Sequence, residues 1–132
     1  MAKLSEVQRA FLRDNAYAGV ATTLRGDGTP HSTVVWVDED DGDVLFNTVE
    51  RRAKARYLRE NPHAAVIVID PADMYRWVAV SGRATLETRG ANEHINKLSL
   101  KYDGADFPPI PPGDVRVIVR IETDTIDSTG FD

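Results

Sequence analysis

One segment interrupts the β pattern of this chain and constrains the rest. Asn47 to Asn61 (NTVERRAKARYLREN) lies between two apolar runs, Val44-Leu45-Phe46 and Ala64 to Ile69. The flanking runs read as strands. The segment itself has helical spacing, with Ala53, Tyr57 and Leu58 on one side. Its helix starts at Glu50 or Arg51, and Pro62 ends it by pushing Asn61 out of helical geometry. Five cations (Arg51, Arg52, Lys54, Arg56 and Arg59) crowd its first turns, in a chain of formal net charge -5. A helix start already attracts anions through its free N–H groups and dipole, so a basic cluster there suits a phosphate. It suits a solvated helix face equally well.

Composition narrows the partners. At 132 residues the chain is expected to form a single domain, residues 1-132. A pI near 5.1 disfavours nucleic acid, so the local basic cluster fits a small anion better than a polymer. There are no cysteines, which removes disulfides, thiolate metal sites and thiol catalysis. No apolar run reaches the ~18 to 20 residues of a membrane span. The N-terminal MAKLSEVQRAFLRDN lacks a signal-peptide core, so a cytoplasmic protein is expected.

Taken in order, Ser5 to Asn15 reads as a helix with Ser5 as N-cap, and Ala16 to Leu24 as a strand. Arg25 to Gly28 is a tight turn into a second strand, His31 to Val37. On it Thr33, Val35 and Val37 share one face, and Ser32, Val34 and Trp36 share the other. Both faces carry apolar groups, so both are expected to be covered. Asp38 to Asp43 (DEDDGD) departs from calcium-loop grammar and reads as a solvated hairpin. Asp43 to Val49 is the next strand, then the basic helix, then His63 to Asp70. Met74 to Glu87 is a strand long enough to need a bend, for which Gly82 is the natural position. Gly90 to Tyr102 is a third helix. Asp103 to Asp114 (DGADFPPIPPGD) is a semi-rigid loop over a surface, and Val115 to Asp127 a last strand. The hairpin-length turns make the strand pairs 1-2, 2-3 and 4-5 antiparallel. Six strands with three helices predict a mainly β (α+β) fold, a small closed or partly closed barrel with helices at its ends.

No apparatus for side-chain catalysis stands out. The sequence lacks a Gly-rich phosphate loop and a nucleophile elbow. His31, His63 and His94 are scattered without metal-ligand spacing, and each reads as exposed or satisfied in the core. What remains is an anion site, apolar strands and two tryptophans. That set suits a large, flat, phosphate-bearing cofactor that brings its own chemistry.

The stretches ATTLRGDGTPHSTVVWV, DVLFNTVERRAKARYLRENPHAAVIV and YRWVAVSGRATLE resemble the flavin/deazaflavin oxidoreductase family. This is the split β-barrel superfamily that includes pyridoxamine 5′-phosphate oxidase. GANEHINKLSLKYDG and VRVIVRIETDTI resemble its actinobacterial branch that uses coenzyme F420. The resemblance implies a six-stranded antiparallel split β-barrel of the FMN-binding type, forming a homodimer with cofactor sites at the interface. It places the cofactor phosphate on Arg52 and Lys54. The ring system would lie along His31, Ser32, Thr33, Val34 and Val35, and against Asn47 and Thr48. Trp77 would line the site, Trp36 would lie near the dimer interface, and Arg116 or Arg120 would reach across from the neighbouring subunit. The implied function is an F420-dependent oxidoreductase passing a hydride to a small or planar organic acceptor, with His31, Tyr75 or solvent supplying the proton. Two alternatives stay open: an FMN-binding member of the superfamily, and a non-catalytic flavin or haem carrier.

Overall fold

The computed structural model describes residues 2–131, so Met1 and Asp132, the ends of the expected domain, lie outside it. Three helices and eight strands follow in the order α1 (Glu6–Asp14), β1 (Gly19–Leu24), β2 (Pro30–Val35), β3 (Asp38–Asp40), β4 (Asp43–Val49), α2 (Ala53–Glu60), β5 (His63–Asp70), β6 (Asp73–Glu87), α3 (Ala91–Asp103), β7 (Arg116–Ile121) and β8 (Thr125–Thr129). All strand pairs are antiparallel, in the order β2-β1-β5-β6-β7-β4-β3, with β8 added beside β6. That order is an open path with β2 and β3 at its ends.

The count of eight corrects the expected six, and each extra strand has a local cause. The acidic run forms a strand of its own because Asp38 and Glu39 are buried, at 2% and 3% exposure, rather than solvated. Arg9 and Arg13 both reach the Glu39 carboxylate, and His94 and Lys97 reach that of Asp38. Buried carboxylates persist only when so paired. The turn after β3 places Asp41 and Gly42 at φ 52° and 86°, as a two-residue hairpin with both central residues left-handed requires. The last expected strand, in turn, divides at Glu122–Asp124. Its first part, β7, pairs with β4 and with Ala84–Glu87, while its second, β8, pairs with Trp77–Ser81.

Gly82 stands at that division. A Cβ on it would collide with the Glu122 carbonyl oxygen, and hydrogen bonds on either side (Glu122 N–H to Arg83 O, Asp124 N–H to Ser81 O) hold the crossing chain in place. The long strand β6 thus changes partner at the glycine where a bend was expected.

A third correction concerns β2 and β4, which were expected to form a hairpin. They are not neighbours. β2 ends at Val35, and the Val37 backbone is taken up by α3: Tyr102 Oη accepts its N–H at 2.9 Å, and Lys101 Nζ donates to its carbonyl at 2.7 Å. Those groups are unavailable to a ladder, and the chain crosses from one end of the strand path to the other.

The path curls around one apolar core. Ala21, Val35, Val44, Phe46, Val66, Val68, Val78, Val80, Val119 and Ile121 face inward from β1, β2 and β4 to β7, with Phe11 and Leu12 of α1 and Leu58 of α2 closing it. Ser5 caps α1 as expected, and Gln8 completes a capping box. On the opposite face of β4 and β7, Leu45 and Ile118 pack beneath Ala91 of α3. The register sets this inside-out alternation, with Phe46 opposite Val119 and Asn47 opposite Ile118.

Candidate functional site

The outer face of β4 and β7 extends past Leu45 and Ile118 to Asn47 and Arg116. There it meets the start of α2, α3 and the edge strand β2. A cavity of about 280 Å³ opens between them, lined by Val34, Val35, Trp36, Asn47, Arg52, Lys54, Ile95, Leu98, Phe107 and Arg116. The proline-rich loop, expected to lie over a surface, lies over α3. It is tied by the Phe107 N–H to Asn96 Oδ1 (2.8 Å) and by Ser99 Oγ to the Ala105 carbonyl (2.7 Å), and it lowers Phe107 onto the Arg116 guanidinium.

Three cations converge on the cavity. Arg52 is the N-cap residue of α2, so its side chain and that of Lys54 leave the same helix start. No side chain caps that start, and the N–H groups of the first turn are left open. Arg116 comes from β7 and is 8% exposed. None of the three is paired with a carboxylate among the described residues. By contrast, Arg51 is held by Asp114 and Arg59 by Glu50. Burial lowers the Lys54 pKa, and the charges of Arg52 and Arg116 lower it further. Burial likewise lowers that of Arg116, with Arg52 adding to it and Asp114 opposing. Part-buried cations set beside further positive charge, as Lys54 and Arg116 are, are costly unless an anion joins them.

Arg116 has one neutral partner. Its Nε–H donates to Asn47 Oδ1 at 2.8 Å, and Asn47 Nδ2 donates to the Ala91 carbonyl at 2.9 Å and approaches His94 Nδ1 at 3.1 Å. Behind it, His94 Nε2 meets Asp38 Oδ2 at 3.2 Å, which also accepts from Lys97 Nζ at 3.0 Å. Burial works against ionising Asp38, but the hydrogen bonds from His94, Lys97 and the Glu39 amide outweigh it and lower its pKa to about 2.

Of the residues expected to form a site, Val34, Val35, Asn47, Arg52, Lys54 and Arg116 come together around this cavity. The others lie elsewhere. Ser32 is exposed on the outer face of β2, beside Thr22 of β1. His31 and Thr33 alternate with it, the His31 ring standing edge-on to Tyr57 at 5.3 Å. Thr48 points into the core. Buried atoms of His31, Thr33 and Thr48 (Nδ1, Oγ1 and Oγ1) find no partner among the described residues. Trp77 sits in β6 opposite Ile69 and Thr129, away from the cavity of its own chain. Tyr75, 70% exposed, lies near the β5–β6 turn. Arg120 is consumed by Asp40, Asp43 and Glu87. Sequence reasoning missed Phe107, Ile95 and Leu98 as lining residues. The apolar face of α3 was legible, but only the folded loop shows that Phe107 closes one wall.

A larger hollow of about 520 Å³ lies by the N-terminal segment. Asp41, Asp43, Glu122 and Asp124 there outnumber Lys3 and Arg9, so it repels the anions that the smaller cavity attracts.

The family model described as pyridoxamine 5′-phosphate oxidase matches residues 4–127. The chain belongs to this family. The resemblance seen in the sequence is therefore borne out at the level of the superfamily. No curated protein matches the sequence. Among solved structures, an F420 reductase is 28% identical, aligned over 94% of this chain and 98% of its own, with a TM-score of 0.79. General stress protein 26 of Bacillus anthracis is 25% identical over 92% of this chain and 90% of its own, with a TM-score of 0.71. A pyridoxamine 5′-phosphate oxidase-related, FMN-binding protein of Nostoc punctiforme shares the fold at 17% identity, over 85% of this chain and 74% of its own, with a TM-score of 0.65. No helix among the described residues of this family member is long and apolar enough to cross a membrane.

Proposed function

We propose that this family member is a cytoplasmic oxidoreductase that binds coenzyme F420 and passes a hydride to a small or planar organic acceptor. The observation that carries the reading is the convergence of Arg52, Lys54 and Arg116, unpaired with any described carboxylate, at an uncapped helix start beside Trp36 and the apolar edge of β2. A phosphate fits this donor set, because it supplies the missing negative charge and accepts from guanidinium, ammonium and backbone N–H alike. The likeness to an F420 reductase supports the choice of cofactor.

Arg52 and Lys54 would hold the phosphate, with Arg116 fixed toward it by Asn47. Val34, Val35 and Trp36 would line one side of the ring system, and Phe107 would limit solvent from the loop side. A cavity of about 280 Å³ falls just below the range of ligand sites (~300–1,000 Å³). A cofactor of this size would therefore extend over the exposed face of β2, where Val34 is 71% exposed. Val34 lies opposite Val20 and Val20 opposite Ile67, a contiguous apolar strip that a second copy of the chain would cover. The functional unit in this reading is a homodimer, with Trp77 and the ring-facing residues of β2 meeting the cofactor across the interface. The bound deazaflavin supplies the hydride, and the chain contributes binding, orientation and exclusion of water.

The same cations suit FMN, which also joins a phosphate to a flat tricycle, so an FMN-dependent enzyme is the second reading. Fluorescence titration with F420 and with FMN separates the two. Tight FMN binding without F420 binding would reverse the choice, and binding of either without turnover on any acceptor would favour a carrier.

A further inference from the structure

The polar chain behind Arg116 has a fixed direction, and one atom sets it. The Ala91 carbonyl can only accept, so the Asn47 group 2.9 Å from it must be the amide nitrogen. That turns Asn47 Oδ1 toward Arg116 Nε–H at 2.8 Å. It also aims the remaining Nδ2 proton at His94 Nδ1, 3.1 Å away, which must then be an unprotonated acceptor. The His94 proton is left on Nε2, where Asp38 Oδ2 accepts it at 3.2 Å. His94 and Asp38 are 8% and 2% exposed, so water competes little for these bonds. No other arrangement satisfies all four groups. A proton on Nδ1 would oppose the amide N–H, and a flipped amide would face a donor at Arg116 and an acceptor at Ala91.

We propose that His94 is a positioning residue for the cationic cavity: held by Asp38, it accepts the second Nδ2 proton of Asn47 and, together with the Ala91 carbonyl, holds the amide whose Oδ1 aims the guanidinium of Arg116. Nothing about His94 in the sequence marks it for this role, since it lies on α3 and touches no cavity-lining cation itself. The proposal rests on reading the cavity as an anion site, but the relay is made only of the chain's own groups and is testable without a ligand.

Two measurements decide it. The first is ¹⁵N NMR of the ligand-free protein. The Nε2–H tautomer of His94 is expected, together with an Arg116 Nε–H resonance that moves in His94→Leu and returns in His94→Gln, whose amide can both accept and donate. An Nδ1–H tautomer, or an Arg116 resonance indifferent to His94→Leu, overturns the proposal whatever the cavity binds. The second is affinity for inorganic phosphate and for F420 by titration. His94→Leu should weaken binding about tenfold, the loss of one well-placed hydrogen-bonded contact. His94→Gln should stay within about twofold, and His94→Leu should have no further effect in an Arg116→Ala background. Equal losses in both backgrounds would show that His94 acts on the fold at large and would overturn the proposal. A relay confirmed by NMR in a protein that binds neither probe would instead count against the anion-site reading.

Discussion

Arg116 Nε donates to Asn47 Oδ1 at 2.8 Å across the β4–β7 pair, and no described carboxylate pairs with that guanidinium. The lack of a charged partner sets Arg116 apart from Arg51 and Arg59, which Asp114 and Glu50 hold.

Replacing Lys54 or Arg116 by Ala is expected to weaken binding of a phosphate-bearing cofactor by ~1.5–3 kcal/mol, the range for a charge-assisted contact. Arg51→Ala and Arg59→Ala, whose side chains are already held by Asp114 and Glu50, should cost under ~0.5 kcal/mol, as exposed pairs do. Isothermal titration of the four variants checks the division. Equal losses at all four would show that these cations act as a diffuse basic surface.

Gly82→Ala should destabilise the protein by ~2–3 kcal/mol through overpacking. Its methyl would meet the Glu122 carbonyl, part of a backbone crossing held by hydrogen bonds on both sides. Urea denaturation gives the value, and an unchanged midpoint would mean that the crossing moves aside freely.

Asp38 links the site to acid stability. Its pKa is lowered from 3.8 to about 2 in the folded chain, so the folded state holds the proton less tightly than the unfolded one. The stabilisation is present above pH ~3.8 and is lost as pH falls toward ~2, amounting to roughly 2 kcal/mol at neutral pH. Asp38→Asn should flatten the stability-versus-pH curve in that window. A wild-type slope that survives the substitution would assign the acid transition to other carboxylates.

Lys101 predicts a slope of the same sign at alkaline pH. Burial lowers its pKa from 10.5 to about 8, with Lys97 adding to the effect and Asp38 and Asp14 opposing it. Between those values the unfolded chain binds the extra proton, so this group's contribution to stability rises with pH. Thermal melts from pH 7.5 to 10.5 should show the rise in the wild type and lose it in Lys101→Met. Direct titration by ¹³C-labelled lysine NMR should place the Lys101 transition near 8.

The sequence already carried much of this. Alternation along the last strand puts Val115, Val117, Val119 and Ile121 on one face and Arg116, Ile118, Arg120 and Glu122 on the other; Val117, Val119 and Ile121 do lie in the core, while Val115, ahead of β7, is exposed. The N-cap at Ser5, the turn at Asp27–Gly28 and the special position of Gly82 follow from local stereochemistry, which a one-dimensional chain records. The acidic run was misread for the converse reason. Asp38 and Glu39 look solvated beside their neighbours in sequence, and their counter-charges arrive from α1 and α3, 26 to 59 residues away.

By itself, the sequence determined the strand and helix periods, the basic helix start after an apolar strand and the membership of the family. Each depends on residues close together in the chain or on a pattern spread along its whole length. Only the tertiary structure decided which cations lack partners, that β2 and β4 sit apart, and that His94 backs Asn47 and Arg116. Those facts depend on register and on side chains meeting from distant segments. The energy of a buried charge is set by what stands within a few ångströms of it, and sequence position does not record that distance.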